Sequence, residues 1–188
     1  MRAVRVVLGL LIAAAIPGVP AAYASYHQTA WRHFHVVDDG RLYRSGQLSP
    51  ETLERVVREY GIRTVVSLRC LAREGDVRLE NAEELWCADH GIRYVRFNPA
   101  TWDSPPCRAH LETFLRAVDD PAACPVLVHC FAGLHRTGVY CAVFRMERQG
   151  WTNADAIAEM YAAGRFHEDL AALDFLRRYT PARKRVTP

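Results

Sequence analysis

Apolar and polar positions along this chain alternate between two patterns. Short β-prone runs at residues 34–37, 41–45, 62–68, 92–97 and 126–129 read as strands, and the longer stretches between them carry helical character. The first two runs flank Asp38-Asp39-Gly40 and predict a hairpin. Ser49 is a good N-cap, with Pro50 at the first helical position and Glu51 in the first turn. That helix is expected to run to Tyr60 and to stop at Gly61. Further helices are predicted over residues 76–90 (stopped by Gly91), over 107–118, from near Arg136 to 149, from a cap at Thr152 to Ala163, and over 168–179.

Repeated βα units imply an α/β fold, with a mostly parallel central sheet flanked by helices on both faces. In such sheets ligands sit beyond the carboxyl ends of the strands. The 188 residues suffice for one such core. The net charge of +3 is small, and the only basic run, Arg183-Lys184-Arg185, reads as a solvated terminus. No nucleic-acid partner is expected, and the chain is taken as a monomer. No Cys-x-x-Cys pair occurs, so a zinc site is not expected. No other metal and no cofactor is expected either.

The N-terminus changes the picture. Arg2 and Arg5 precede an uncharged apolar run at 6–16, followed by Pro17, Gly18, Pro20 and Ala22-Tyr23-Ala24. This is the pattern of a cleaved secretory signal. The uncharged stretch nevertheless continues through Tyr26, about long enough for an uncleaved anchor attached through residues 6–26. Residues 1–24 are therefore read as a signal peptide or an N-terminal membrane anchor, and 25–188 as the functional domain. Both readings place that domain outside the cytoplasm, secreted, periplasmic or held at the membrane.

Chemistry concentrates in residues 129–138, His-Cys-Phe-Ala-Gly-Leu-His-Arg-Thr-Gly, where a strand meets a helix. A loop of this length can turn its backbone N–H groups inward as an anion nest, helped by the positive end of the following helix. Gly133 allows backbone angles closed to other residues. Arg136 offers a planar fork for two phosphate oxygens. Cys130 stands at the base of this positive field, which favours its thiolate. Thr137 is placed to donate a hydroxyl hydrogen bond to the sulfur, and His129 to orient the loop. Phe131, Ala132, Gly133, Leu134, His135 and Arg136 form the expected substrate cradle.

His129-Cys130-x-x-Gly133-x-x-Arg136-Thr137 resembles the signature of cysteine-dependent protein tyrosine and dual-specificity phosphatases. The resemblance extends over residues 33–180 and is nearest to the small bacterial dual-specificity-like type, with Leu42-Tyr43-Arg44-Ser45-Gly46-Gln47 and residues 61–69 as weaker landmarks. It implies the phosphatase fold and hydrolysis of phosphate monoesters through a phosphocysteine. The substrates it implies are phosphotyrosine, with phosphoserine or phosphothreonine also open, on a protein or a small ester. It also implies an acid on a loop 25–35 residues before the nucleophile. Asp103 is the only aspartate in that loop and is taken as that acid; the alternative is a turn or N-cap residue ahead of the helix at 107–118, common chemistry for Asp-Ser-Pro.

Trp102 is placed to flank the substrate, or to serve as core or hinge. Tyr43 and Arg44 read most simply as a packed aromatic and a surface charge. Relatives acting on phosphoinositides tend to carry lysines inside the loop. The variable positions here are Phe131, Ala132, Leu134 and His135, which argues against highly charged lipid headgroups and inositol pyrophosphates. Cys70 is a candidate redox partner for Cys130, as in relatives with a back-up cysteine, or a small buried hydrophobe. Two other classes stay open. One is a phospho-ligand binding module, which would need neither acid nor nucleophile, and the other is sulfur transfer from a persulfide on Cys130.

Overall fold

The computed structural model describes residue 16 and residues 31–69, 77–164 and 171–182. The proposed signal or anchor, apart from Ile16, and Cys70 lie outside these residues. Among the described residues no helix is long and apolar enough to cross a membrane.

The described strands form one five-stranded sheet: β1 (His35–Asp38), β2 (Leu42–Ser45), β3 (Thr64–Ser67), β4 (Arg93–Arg96) and β5 (Val126–His129), in the order β1-β2-β5-β3-β4. Within it only the β1–β2 pair is antiparallel; it is the predicted hairpin, with a bulge between Val36 and Asp38. The other pairs are parallel, and β5 lies between β2 and β3 with His129 opposite both Ser45 and Ser67. The described helices are α1 (Pro50–Tyr60), α2 (Val77–Asp89), α3 (Arg108–Asp119), α4 (His135–Phe144), α5 (Asn153–Ala163) and α6 (Ala171–Arg178).

Side chains on β5 alternate between two cores, as the two-residue period of a strand requires. Val126 and Val128 face Phe114, Phe144, Met160 and Leu173, on the side of α3 to α6. Leu127 faces Tyr43, Leu53, Val56 and Cys87, on the side of α1 and α2. Burying both faces explains why the central strands read as continuous apolar runs.

The predicted caps are present. Ser49 accepts from the Thr52 N–H, Gly61 closes α1 in the left-handed conformation at φ 64°, and Thr152 accepts from the Asp155 N–H. One element departs from the expected single helix. Past Phe144 the backbone widens into a five-residue π-helical turn, Arg145–Gln149, closed by Gly150.

Candidate active site

The loop 130–134 joins the carboxyl end of β5 to α4, as the α/β topology predicts. Cys130 is buried at the base of this loop, and its sulfur lies 3.3 Å from the Gly133 amide nitrogen, which donates to it. The three carbonyls that follow are each held from behind. The Gln47 N–H donates to Phe131 O (3.0 Å), His33 Nδ1 lies 2.8 Å from Ala132 O, and Arg44 Nη2 donates to Gly133 O at 2.8 Å. In a planar trans peptide, a carbonyl turned outward aims the next N–H the opposite way. The amides of Ala132, Gly133 and Leu134 are thereby turned into the cup.

Two close approaches fix this shape. Gly133 sits at φ +76°, and a Cβ there would lie 2.4 Å from Gly46 N and 2.6 Å from the Ser45 carbonyl carbon. Glycine is thus required on both counts. Behind the loop, Arg32 and His33 hold left-handed backbone angles at φ 33° and 57°. Such angles in non-glycine residues persist only where surrounding contacts enforce them. Here they bring Arg32 O to the Gly46 N–H (2.6 Å) and the His33 ring to Ala132 O.

Arg136 lies in the first turn of α4, buried, with Nη1 donating to Leu68 O at 2.5 Å. That bond anchors the guanidinium to the end of β3. Thr137 is fully buried; among the described residues its hydroxyl has no hydrogen-bond partner, and the sulfur takes its bond from Gly133 instead.

The Asp103 carboxylate accepts from the Ala171 N–H (3.0 Å) and the Ala172 N–H (3.5 Å), the first two amides of α6. The loop carrying it still borders the cup. Asn98, Pro99, Ala100 and Ser104 line a cavity of about 220 Å³ together with Arg136 and Leu68. Trp102 packs against His135, ring centroids 5.4 Å apart, which links the loop to the cradle.

Arg44 corrects the sequence reading. It is not a surface charge but a buried side chain, 4 % exposed, under Gly133. Tyr43 is packed, as read, with its hydroxyl donating to Asp39. The missing loop lysines do not leave the rim uncharged. The Arg32 and Arg69 guanidinium carbons lie 4.1 and 5.1 Å from the centre of the Phe131 ring. Burial and the neighbouring Arg69 lower the pKa of Arg32, against the opposing pull of the Cys130 thiolate.

Nothing along the chain marks the buried polar cluster beneath the loop. Glu83 of α2 lies 3.2 Å from His129 Nε2 and accepts from Gln47 (2.9 Å) and the Tyr94 hydroxyl (3.1 Å). Arg69 in turn donates to Gln47 (3.0 Å). A glutamate one turn from Cys87 on a predicted helix carries no local mark of burial.

The described cysteines, Cys87, Cys107, Cys124, Cys130 and Cys141, are all free. Burial pushes the Cys87 thiol up to about 12 and that of Cys141 up to about 11. Among the described residues no cluster of histidine, cysteine or acidic side chains could hold a metal ion.

The dual specificity protein phosphatase TpbA of Pseudomonas aeruginosa (strain UCBPP-PA14) is 44 % identical over 45 residues, 24 % of this chain and 21 % of that protein. The match therefore spans about a fifth of the curated relative's length. Solved structures share the fold. The catalytic core of the PP-IP phosphatase SIW14 from S. cerevisiae has a TM-score of 0.63 at 23 % identity, covering 79 % of this chain and 85 % of that one. P. aeruginosa TpbA has a TM-score of 0.57 at 24 % identity, covering 79 % and 94 %. A family model described as "DSP-PTPase phosphatase fused to NAD+ Kinase" matches residues 16–177. The chain belongs to this family of DSP-PTPase phosphatases.

Proposed function

We propose that this protein hydrolyses phosphate monoesters through a covalent phosphocysteine. The observation that carries the reading is the cup itself, with three loop carbonyls held outward and the Cys130 sulfur at its base under the Gly133 amide. A phosphoryl group in the cup would receive hydrogen bonds from the inward amides and from Arg136, which stabilise charge on its equatorial oxygens in the transition state. The Cys130 thiolate attacks phosphorus and forms the S–P bond as the ester P–O bond breaks. A proton passes to the leaving oxygen. Water then attacks the phosphocysteine, the S–P bond breaks, and inorganic phosphate leaves with the thiolate restored. In this second step Thr137 is suited to donate its unpartnered hydroxyl to the departing sulfur.

Asp103 is the proposed acid in the first step and the base in the second. Its loop borders Arg136, and delivering the carboxylate to the leaving oxygen requires exchange of its cap on α6. Phosphotyrosine is the proposed first substrate class. Phe131 and Trp102 are both exposed beside the cup and suited to flank an aryl ring. P. aeruginosa TpbA, a cysteine-to-serine form of which has been solved in complex with pTyr, shares the fold. Residues 1–24 support action outside the cytoplasm, after cleavage or from an anchor.

The test is Cys130→Ser, assayed against phosphotyrosine, phosphoserine and phosphothreonine peptides and small phosphate esters. The variant is expected to lose turnover and to keep tungstate binding, because a serine hydroxyl stays protonated in the same nest. Substantial metal-independent hydrolysis by that variant overturns the mechanism. Tungstate binding without hydrolysis by the native protein points to a binding module.

A further inference from the structure

Glu83 and His129 stand behind the nucleophile and have no part in the chemistry above. Both are buried, their side chains 5 % and 1 % exposed, and Glu83 Oε2 lies 3.2 Å from His129 Nε2. A carboxylate at this depth is costly unless a cation and hydrogen bonds compensate it. Gln47 and Tyr94 supply neutral donors, and among the described residues His129 is the only cationic side chain within salt-bridge distance of Glu83. Arg69 stands one link away, bonded to the Gln47 carbonyl oxygen.

From these contacts we propose that Glu83 is a positioning residue for Cys130: its carboxylate holds His129 as an imidazolium, and that cation, one residue before Cys130, favours the thiolate. Glu83 acts through His129 and does not reach the sulfur. The proposal deepens the phosphocysteine reading and rests on it for its catalytic meaning. The carboxyl group itself behaves accordingly. Burial would raise it, but the charge of His129, in ion-pair contact without hydrogen-bond alignment, with hydrogen bonds from Tyr94 and Gln47, holds it below the ordinary carboxylate range.

The other groups facing this pair do not replace it. Tyr94 reaches it from β4, Ser67 lies opposite His129 on β3, and Gln47 approaches from the turn after β2. Cys87, on α2 itself, is a thiol pushed up to about 12 and stays neutral over the working range. Around Cys130 stand Arg32, Arg136 in the first turn of α4, Arg44 under the loop, and the neutral Cys141. Those arginines keep their charge at every accessible pH. His33, against Ala132 O, and His135, packed on Trp102, are further imidazoles at the loop, so substitution of Glu83 rather than pH alone isolates the pair.

The sign of one measurement separates the alternatives. Removing a bare buried anion from behind a thiol makes the thiolate easier to form, whereas removing an anion that holds a cation makes it harder. Site-resolved alkylation of Cys130 by iodoacetamide, followed by mass spectrometry across pH, reads this without requiring turnover. Glu83→Gln is expected to move the alkylation midpoint up by about one pH unit, a tenfold loss of rate below the midpoint, and Glu83→Asp to restore most of it.

A midpoint that stays in place or moves down in Glu83→Gln overturns the proposal. Should that variant fail to fold, nitrogen-15 NMR of the His129 ring in the native protein decides. Two protonated ring nitrogens at pH 7 support the proposal, and a neutral ring overturns it. Failure of the native protein to hydrolyse any phosphate ester would overturn the phosphatase reading, while both measurements would still report on the pair.

Discussion

Gly133→Ala is the most direct probe of how the cup is built. The new Cβ would lie 2.4 Å from Gly46 N, 2.6 Å from Ser45 C and 2.8 Å from Ser45 O. Carbon contacts are optimal at about 3.5–4.0 Å, so the overlap is about 1 Å, and all three atoms are backbone. The left-handed angle at φ +76° adds a conformational cost of about 1–2 kcal/mol. Overpacking against backbone adds about 1–3 kcal/mol. The total of about 2–5 kcal/mol corresponds to a fall in Tm of about 4–20 °C for a domain of this size.

Gly61→Ala supplies the control, because Gly61 has the same kind of angle (φ +64°) with nothing within 4 Å of the added Cβ. Its cost is the conformational part alone, about 1–2 kcal/mol and about 2–8 °C. Thermal unfolding of both variants, with tungstate affinity and kcat/KM, completes the assay. Gly133→Ala is also expected to lose about 10²-fold or more in kcat/KM, since a displacement of about 1 Å ruins transition-state alignment. Equal Tm losses in the two variants, or native tungstate affinity in Gly133→Ala, would refute the reasoning from the close approach to Gly46.

Asp103→Asn should lower kcat by about 10²–10⁴ for an alkyl or tyrosyl ester and much less for a nitrophenyl ester, whose leaving group needs little proton help. An equal loss for both esters would leave Asp103 as the cap of α6 alone. The basic pH–rate limb should flatten in the same variant while the acidic limb stays. Fusing residues 1–40 to a reporter active only outside the cytoplasm should yield signal, and a silent reporter on an intact internal fusion would contradict export.

Much of this protein was legible along the chain because it depends on neighbours in sequence. Strand and helix periods, the caps at Ser49 and Thr152, the stop at Gly61 and the signature at 129–138 each follow from local backbone chemistry. Alternation of the elements was enough to imply the parallel sheet and to place Cys130 at the end of a strand. Tertiary structure decided what stands behind that loop. His33 and Ala132 are 99 residues apart, Arg44 and Gly133 are 89 apart, and Asp103 and Ala171 are 68 apart. No local period encodes such meetings. Arg44 alternates along β2 like any strand residue, and only the placement of β2 beside β5 carries it under the loop. Glu83 lies on a helix whose buried side is set by packing against the sheet, so its pairing with His129 exists only once the sheet has assembled. Asp103 reads in sequence as an acid or as a cap of the helix that follows it, because both roles use the same carboxylate oxygens, and only the fold brings it to the first amides of α6.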